Sequence, residues 1–550
     1  ETLIDRAYLE LAIHFRIRTE LKSGELYIPK GERFDDYREH LVDDKRFKDE
    51  LAAYGETTKI EVDPKRHVDE LRKKLTATTL RVDARFPSNA YATIEDGKLS
   101  LKRFRRDEPD PETAKLEALI SERMEQIGIA DAITDTCRWV NLAVEFRTVS
   151  GETSRMKELF LRVVTTIVCY GLNLGPVQTA RSVKTVSRKQ VSWINLQYVT
   201  ESLLDRAIVK VVNRFNEYRL PQYWGSGKSA SADGTKWSLY EQNLISERHI
   251  RYGGYGGIGY YHVSDRYIAL MSHFTTCGTH EAIFILDGLL NNASDIQPDT
   301  VHGDTQAQSL PVFALAHLLG IKLMPRIRNM KDLAFSRAEP KRRCKNIEAL
   351  FRNNVDWDLI EKHLPEMMRI AVSIKLGLIT SSSILRRLGT HNRKNPIYFA
   401  FRELGKVVRT NFMLEYLDDV EIRKTIQAAT NKSEQFNRFV KLIFFGGEGI
   451  IAENVRHEQR KMVKYAHLAA NLVILHNVNQ MTRILRELEL EGVTLTAERL
   501  ARVSPFRIGH LDRLGKIVVD VDRRPDESFE HWQFTIPAPD AIRADGERLH

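Results

Sequence analysis

Apolar residues recur at three- and four-residue intervals through most of this chain, and the exceptions locate the strands. The first eighty residues predict helices joined by short polar connections, with a turn at Lys22-Ser23-Gly24-Glu25 and a fresh helix near Phe34-Asp35-Asp36-Tyr37. Tyr91 to Lys102 alternates around Asp96-Gly97, a pair suited to a tight primed turn, and predicts a hairpin. Glu112 to Leu220 returns to helical spacing until Pro221, Gly225 and Gly227 end it. Strands are then expected at Ser229 to Leu239, Ile258 to Val263 and Tyr267 to Thr275, the last two joined by Ser264-Asp265-Arg266. A helix over Thr279 to Leu290, a strand over Thr300 to Thr305, a helix over Ser309 to Leu319 and a strand over Ile321 to Pro325 follow, with Gly320 as the helix stop. Beyond Arg328 the pattern predicts helices without a strand to about Phe445, then a long helix from Val455 to about Leu490 and another near Thr496. From Asp520 the Pro- and Asp-rich tail is expected to be loose.

The order strand, strand, strand, helix, strand, helix, strand resembles the ribonuclease H-like fold, a mixed α/β sheet whose first three strands form a meander. The fold expected is therefore a ribonuclease H-like core interrupted by a large all-helical insertion and flanked by mainly helical amino-terminal regions. The boundaries expected are 1–110 (helical, with the hairpin), 111–225 (helical scaffold or DNA-binding region), 226–335 (first part of the core), 336–447 (the insertion), 448–520 (last part of the core) and 521–550 (tail). At 550 residues, three to four domains of roughly 150 residues fit the length. Opening on Glu1 and a mid-domain helix, the chain reads as part of a longer one, with no targeting peptide in view.

Composition narrows the class. Hydrophobic residues make up 42% and charged ones 29%, which excludes a disordered, collagen-like or disulfide-scaffold chain. No apolar run reaches the roughly 18 residues of a membrane span; Tyr465 to Thr482 comes nearest but is broken by histidines and asparagines. The four cysteines, Cys137, Cys169, Cys277 and Cys344, lie far apart, so neither a disulfide framework nor a structural zinc site is expected, and the compartment reads as reducing.

The net charge of +9 is concentrated. Between Ile321 and Lys345 stand nine basic residues (Lys322, Arg326, Arg328, Lys331, Arg337, Lys341, Arg342, Arg343, Lys345) against two acidic ones. A polyanion suits such a cluster, because phosphate contacts release condensed counterions; a solvated face is the alternative. Arg386, Arg387, Arg393 and Lys394 form a second, weaker stretch.

Three acids stand where that fold would use them. Asp233 lies mid-strand in Ser231-Ala232-Asp233-Gly234, Asp304 ends a strand in His302-Gly303-Asp304-Thr305, and Glu458 opens a helix in His457-Glu458-Gln459. In a ribonuclease H-like sheet the first and fourth strands are neighbours. An unpartnered Asp in a strand is costly, which favours a functional reading. Hard carboxylate oxygens suit Mg²⁺, and a metal pair about 4 Å apart clamps both oxygens of an in-line phosphoryl displacement. Glu448 and Glu453 lie close enough to Glu458 to remain alternatives for the third position. Tyr252 to Gly259 reads as a flexible loop beside the site rather than a dinucleotide-binding turn, since a strand and not a helix follows it. His262, His273, His302 and His457 match no zinc spacing, and no base partners Ser226, Ser229 or Ser231.

Several separated motifs occur in a recognisable order. They are Leu21 to Tyr37; Tyr170-Gly171-Leu172-Asn173-Leu174-Gly175; Tyr223-Trp224-Gly225 followed by Ser229 to Trp237; and His302 to Gln306. After these come Leu318-Leu319-Gly320, Pro325-Arg326-Ile327-Arg328, Phe401 to Thr410, Asn431-Lys432-Ser433-Glu434, and Glu458-Gln459 with Asn477 beyond. In this series the chain resembles the transposases of class II, cointegrate-forming bacterial transposons, members of the DDE recombinases, up to about Val519. The Glu-Gln pair lacks a spacer residue common among relatives, and His476 stands where a tryptophan is usual. The resemblance implies the catalytic half of such a transposase. Asp233, Asp304 and Glu458 would be its catalytic and metal-binding residues, with two Mg²⁺ ions for which Mn²⁺ substitutes. His302 and Gln459 would support them. Arg326, Arg328, Lys331, Lys341, Arg342, Arg343 and Lys345 would contact DNA. It further implies inverted-repeat end DNA and target DNA as partners, a homodimer, no membrane, and a bacterial cytoplasm with nucleoid association. The alternatives are a metal-dependent nuclease of the same fold without joining activity, or a non-catalytic DNA-binding relative.

Overall fold

A computed structural model of the chain describes residues 5–31, 34–102, 110–146, 158–183, 186–243, 246–248, 253–277, 281–330, 333–390, 395–514, 517–524, 534 and 536. The fold is mixed α/β and divides into two compact units. One comprises Glu1–Arg105, His280–Leu290 and Asp299–Ala428; the other comprises Arg106–Thr279, Asn291–Pro298 and Ala429–His550.

The principal elements, in chain order, begin with α1 (Arg6–Ser23), α2 (Asp44–Thr58), α3 (Pro64–Arg85), β1 (Ala92–Glu95) and β2 (Lys98–Leu101). Next come α4 (Pro111–Arg123), α5 (Ile129–Trp139), α6 (Leu159–Gly171), α7 (Gly175–Ser182), α8 (Arg188–Tyr198) and α9 (Glu201–Asn216). The strands β3 (Ser229–Leu239), β4 (Glu247–Arg248), β5 (Tyr255–Ser264), β6 (Ala269–Thr276) and β7 (Thr300–Gly303) follow, then α10 (Leu310–Leu318), β8 (Lys322–Pro325), β9 (Phe335–Arg337) and β10 (Phe351–Asn354). The series closes with α11 (Trp357–Lys375), α12 (Ser381–Leu388), α13 (Pro396–Asp418), α14 (Val420–Ile443), β11 (Ile450–Ile451), α15 (Arg456–Leu490) and α16 (Ala497–Arg502).

In the first unit, α3 starts where Asp63 accepts a hydrogen bond from the Arg66 amide, with Pro64 in the first turn. It buries Val68, Leu71, Leu75 and Val82 along one stripe. The Asp96-Gly97 turn has φ of 50° and 73°, the primed geometry the sequence predicts, and joins β1 to β2 in register. The helix expected near Phe34 begins instead at Asp44, after a single 3₁₀ turn over Tyr37–His40. Nearly all of α10 is buried, and its Phe313 lies 5.7 Å from Phe412 of α13. Parallel β7 and β8 pair from Thr300–Lys322 to Gly303–Pro325.

Two strands contradict the expectation of an all-helical stretch after Arg328. Parallel β9 and β10 pair Phe335 with Phe351 and Arg337 with Asn354. Each has only three or four residues, too short for alternation to register, and Thr410 of α13 supplies the acceptor for the Ser336 amide at 3.1 Å.

In the second unit β5 is central. β3 pairs antiparallel along one edge, from Ala230–Ser264 to Ser238–Gly256, while β6 and short β4 pair along the other. β11 adds a parallel strand to the outer edge of β3. The glycines expected in a flexible loop therefore belong largely to a strand, where a Cβ on Gly257 would meet the Phe274 ring at 2.4 Å and one on Gly259 the Trp237 ring at 2.3 Å. Tyr252 lies outside the described residues. Helix α15 forms the core of this unit, buried continuously from Lys461 to Thr482 and fixed to β6 by His467 on the Ser272 hydroxyl and Asn471 on the Ala269 carbonyl. The stretch that came nearest to a membrane span is thus an internal helix. No helix among the described residues is long and apolar enough to cross a membrane.

Part of the tail is held, contrary to expectation. Arg523 makes two hydrogen bonds to buried Asp135 at 3.0 and 2.9 Å, and Phe534 packs on Tyr223. Most of 525–550 lies outside the described residues.

Candidate functional site

Asp233 and Glu458 stand in the second unit and Asp304 in the first. Among the described residues no group of three His, Cys, Asp or Glu side chains stands close enough to hold a metal ion.

Asp233 is half-buried on β3, opposite Tyr261. Helix α14 crosses the strand with residues spaced four apart, which lie on one face. Ser433 meets the Ser231 hydroxyl at 3.0 Å, and the Asn437 amide donates to Asp233 Oδ2 at 2.8 Å. One turn further, the Lys441 ammonium has its pKa lowered by burial and by neighbouring Lys236, against the pull of the Asp233 carboxylate. Lys236 itself donates to the Gly253 carbonyl.

Glu458, in the first turn of α15, is more tightly held. Its Oε2 accepts from the Asn195 amide at 2.8 Å, and its Oε1 accepts from Lys461 Nζ at 3.1 Å, with His457 Nε2 at 3.2 Å. Lys461 also donates to the Asn195 carbonyl at 2.7 Å, and the Tyr465 hydroxyl donates to Asn195 Oδ1 at 3.0 Å. Asn195, Lys461 and Tyr465 are all buried, so a closed polar network fixes one carboxylate. Burial lowers the Lys461 pKa, and Glu458 opposes the shift. Glu453 has its pKa raised by burial and then by the Glu458 charge, which makes these two acids near neighbours. Gln459 turns away from Glu458: it donates to the Glu453 carbonyl at 2.8 Å and so secures the loop before α15.

In the first unit Asp304 follows β7 and caps a 3₁₀ turn, accepting from the Gln306 amide at 2.9 Å. Gln308 of that turn donates to the Arg326 carbonyl at 2.9 Å, and Arg409 donates to the Gln308 carbonyl at 3.3 Å. The Arg326 amide bonds the Gly303 carbonyl at 2.8 Å, placing Arg326 beside the acid in its own unit. His302 is buried, and burial lowers its pKa to about 4 against a hydrogen bond with the Met324 backbone; among the described residues it makes no hydrogen bond to Asp304.

The basic cluster is less free than its sequence reads. Arg328, Lys341, Arg342, Arg343 and Lys345 are exposed and Arg326 half-buried, but Arg342 pairs with Glu339 at 3.4 Å and Arg343 with Glu348 at 3.1 Å. Arg337 holds Glu348 at 2.6 Å, and the Lys345 amide bonds Asp83. Lys331, Arg393 and Lys394 lie outside the described residues.

Two quoted motifs are tied together structurally. Lys432 donates to the carbonyls of Trp224 and Asp265 and sits 4.3 Å from the Tyr267 ring centroid. Asp265 accepts from the Gly227 amide at 3.0 Å, and Gly225 approaches it so closely that a Cβ would meet Asp265 Cγ at 2.4 Å.

Residues 131–516 match the family described as Tn3 transposase DDE domain, well over half of the chain. The chain belongs to that family. It is similar to the transposase for transposon Tn1546 of Enterococcus faecium, at 26% identity over 94% of this chain and 52% of the relative. It is also similar to those for Tn21 of Escherichia coli (27%, over 93% and 52%) and for gamma-delta of Escherichia coli strain K12 (26%, over 98% and 53%). The chain spans about half the length of these relatives. A DDE domain implies a ribonuclease H-like core, consistent with the mixed sheet found.

Sequence reasoning missed Asn195, Asn437, Lys441 and Lys461. Asn437 lies one turn beyond the Asn431 to Glu434 motif, and Lys461 one turn beyond Glu458, so proximity to a motif was the available signal. Asn195, on α8, carried none.

Proposed function

We propose that this chain is the catalytic half of a Tn3-family DNA transposase, a ribonuclease H-like core with a mainly helical insertion, using Asp233, Asp304 and Glu458. The observation that carries the reading is the preparation of the two acids in the second unit: each is a hard oxygen donor oriented by a neighbouring amide, and Glu458 already rests against an ammonium. Such carboxylates fit a hard divalent cation. Two Mg²⁺ ions, or Mn²⁺ in their place, would be held by the three acids and would supply the Lewis acidity for attack and departure of oxygen at phosphorus.

The protein's residues do the rest. Asn437 and Asn195 hold their carboxylates in one rotamer. Lys461 balances the Glu458 charge and Lys441 that of Asp233. Arg326 and Arg328 contact phosphates beside Asp304, and Lys331, Lys341, Arg342, Arg343 and Lys345 the flanking or target DNA. At a transposon end, water attacks the phosphodiester; the new bond joins water oxygen to phosphorus, and the 3′ oxygen leaves and takes up a proton. That 3′-hydroxyl then attacks a target phosphodiester, forming one P–O bond as another breaks. No covalent enzyme intermediate is required. The product is a strand-transfer joint, leading through replication to a cointegrate, and two ends joined together call for a homodimer.

The test is transfer of a pre-cut, labelled transposon-end duplex into plasmid. Joining that needs Mg²⁺ or Mn²⁺ and vanishes in Asp304→Asn and Glu458→Gln is expected. Joining that survives Glu458→Gln but not Glu453→Gln moves the third role to Glu453. Metal-dependent nicking without joining replaces the transposase reading with a nuclease.

A further inference from the structure

The stretch from Leu159 to Thr200 contains five basic residues (Arg162, Arg181, Lys184, Arg188, Lys189) and no acidic one. Arg181 on α7 and Arg188 and Lys189 on α8 are exposed, and among the described residues none of the three has an ion-pair partner. This distinguishes them from Arg337, Arg342 and Arg343, whose charges are met by glutamates. On the same face of α8, Lys189, Trp193 and Leu196 follow one another at helical spacing. Trp193 is 46% and Leu196 61% exposed. The Trp193 indole is fixed edge-on against the Tyr198 ring at 5.0 Å, which holds its plane in place. An indole and a leucine left in water amid uncompensated cations form a surface that has chemistry to gain from a partner.

We infer that this outer face of α7 and α8 docks DNA carrying an unpaired base, with Arg181, Arg188 and Lys189 on phosphates and Trp193 stacked on the base. The inference rests on the transposase reading and deepens it, since α8 is also the helix whose Asn195 holds Glu458. Charge selects the occupant. A second copy of the chain meeting the same face would set cations against cations, whereas a phosphate backbone neutralises them and releases counterions. The exposed indole selects an unstacked base, because a base pair inside the duplex has both faces covered and an unpaired base can be stacked without displacing a pair.

The test is anisotropy of the whole chain, without metal, on two labelled duplexes of one sequence: one blunt, one with three unpaired nucleotides at a 3′ end. The wild-type chain is expected to favour the frayed duplex. Trp193→Ala is expected to remove that preference by about fivefold to a hundredfold, with Trp193→Phe restoring most of it. The double variant Arg188→Gln/Lys189→Gln is expected to weaken both duplexes alike and reduce the salt slope by about two. All four side chains are exposed or partly so, and unchanged melting temperatures identify variants that fold. The inference is overturned if the wild type shows no preference, if Trp193→Ala leaves it intact, or if Trp193→Ala alters only self-association in sedimentation. Metal-dependent joining can persist through each of those results, so the transposase reading survives them; a chain that binds neither duplex sinks both.

Discussion

The Lys461–Glu458 contact is the most exacting test of how the site is built. Nζ and Oε1 are 3.1 Å apart, with side chains only 5% and 12% exposed. At an effective dielectric of about 20, Coulomb's law gives roughly 5 kcal/mol of gross attraction at that distance. Desolvation of two poorly hydrated ions offsets much of this, and charge-assisted hydrogen bonds retain about 1.5–3 kcal/mol. Lys461→Met also strips the Asn195 carbonyl of its donor, so its total cost is expected near 3–4 kcal/mol. Glu458→Gln keeps one acceptor oxygen but turns an amide NH2 toward the other donor, Asn195 or Lys461, and is expected to cost about 1–3 kcal/mol. Urea unfolding of the wild type, both single variants and the double variant closes a cycle, with each transition fitted separately because the chain has two units. A coupling energy near 2 kcal/mol is expected. A value below about 0.5 kcal/mol, the scatter of independent sites, would refute the claim that the pair holds the carboxylate.

Two further outcomes follow from packing and burial. Gly225→Ala drives a methyl into Asp265 and should cost about 1–3 kcal/mol in the same urea assay; a neutral result would mean the turn gives way freely. Burial lowers the pKa of His67, His302 and His510 to about 4 and of His317, His467 and His476 to about 3. Because each folded value lies below the unfolded 6.5, the unfolded chain takes protons first, and stability is lost as pH falls from about 6.5 toward 3–4. Asp135 runs the other way: raised to about 6 by burial, it contributes stability that is present below about 4 and lost as pH rises through 6. The six histidines outnumber the four carboxyls that burial raises, Asp131, Asp135, Asp265 and Glu453, so the urea midpoint should drop from pH 6.5 to 4, and a flat profile would contradict the burial of those rings.

The strands that β-pattern and turn chemistry control were readable from the sequence: β3 matches to the residue, and Asp96-Gly97 forms its turn as its composition requires. The short β9 and β10 were not, because their pairing depends on Thr410 more than seventy residues along the chain, not on local alternation. Of the candidate site, the placement of Asp233 on a strand, Asp304 after a strand and Glu458 at a helix start was legible, but the groups that orient them were not. Asn195 sits in an ordinary amphipathic helix, and only the fold reveals that its amide reaches Glu458. Likewise the charge cluster after Ile321 reads as free cations until Glu348, outside the window that draws the eye, is seen to engage Arg337 and Arg343.

Asn173 and the glycines before α15 show what such distant couplings demand of an engineer. Asn173 adopts φ of 59° after α6, and its amide donates to the carbonyls of Gly446 at 2.7 Å and Ile450 at 3.0 Å. A Cβ on Gly446 would stand 2.3 Å from the Asn173 carbonyl oxygen. Segments more than 270 residues apart therefore form one interchangeable part. A chimera that borrows α6 and α7 from a relative must borrow the 446–450 loop with them, and crossover points that divide the two are where hybrid chains should fail to assemble.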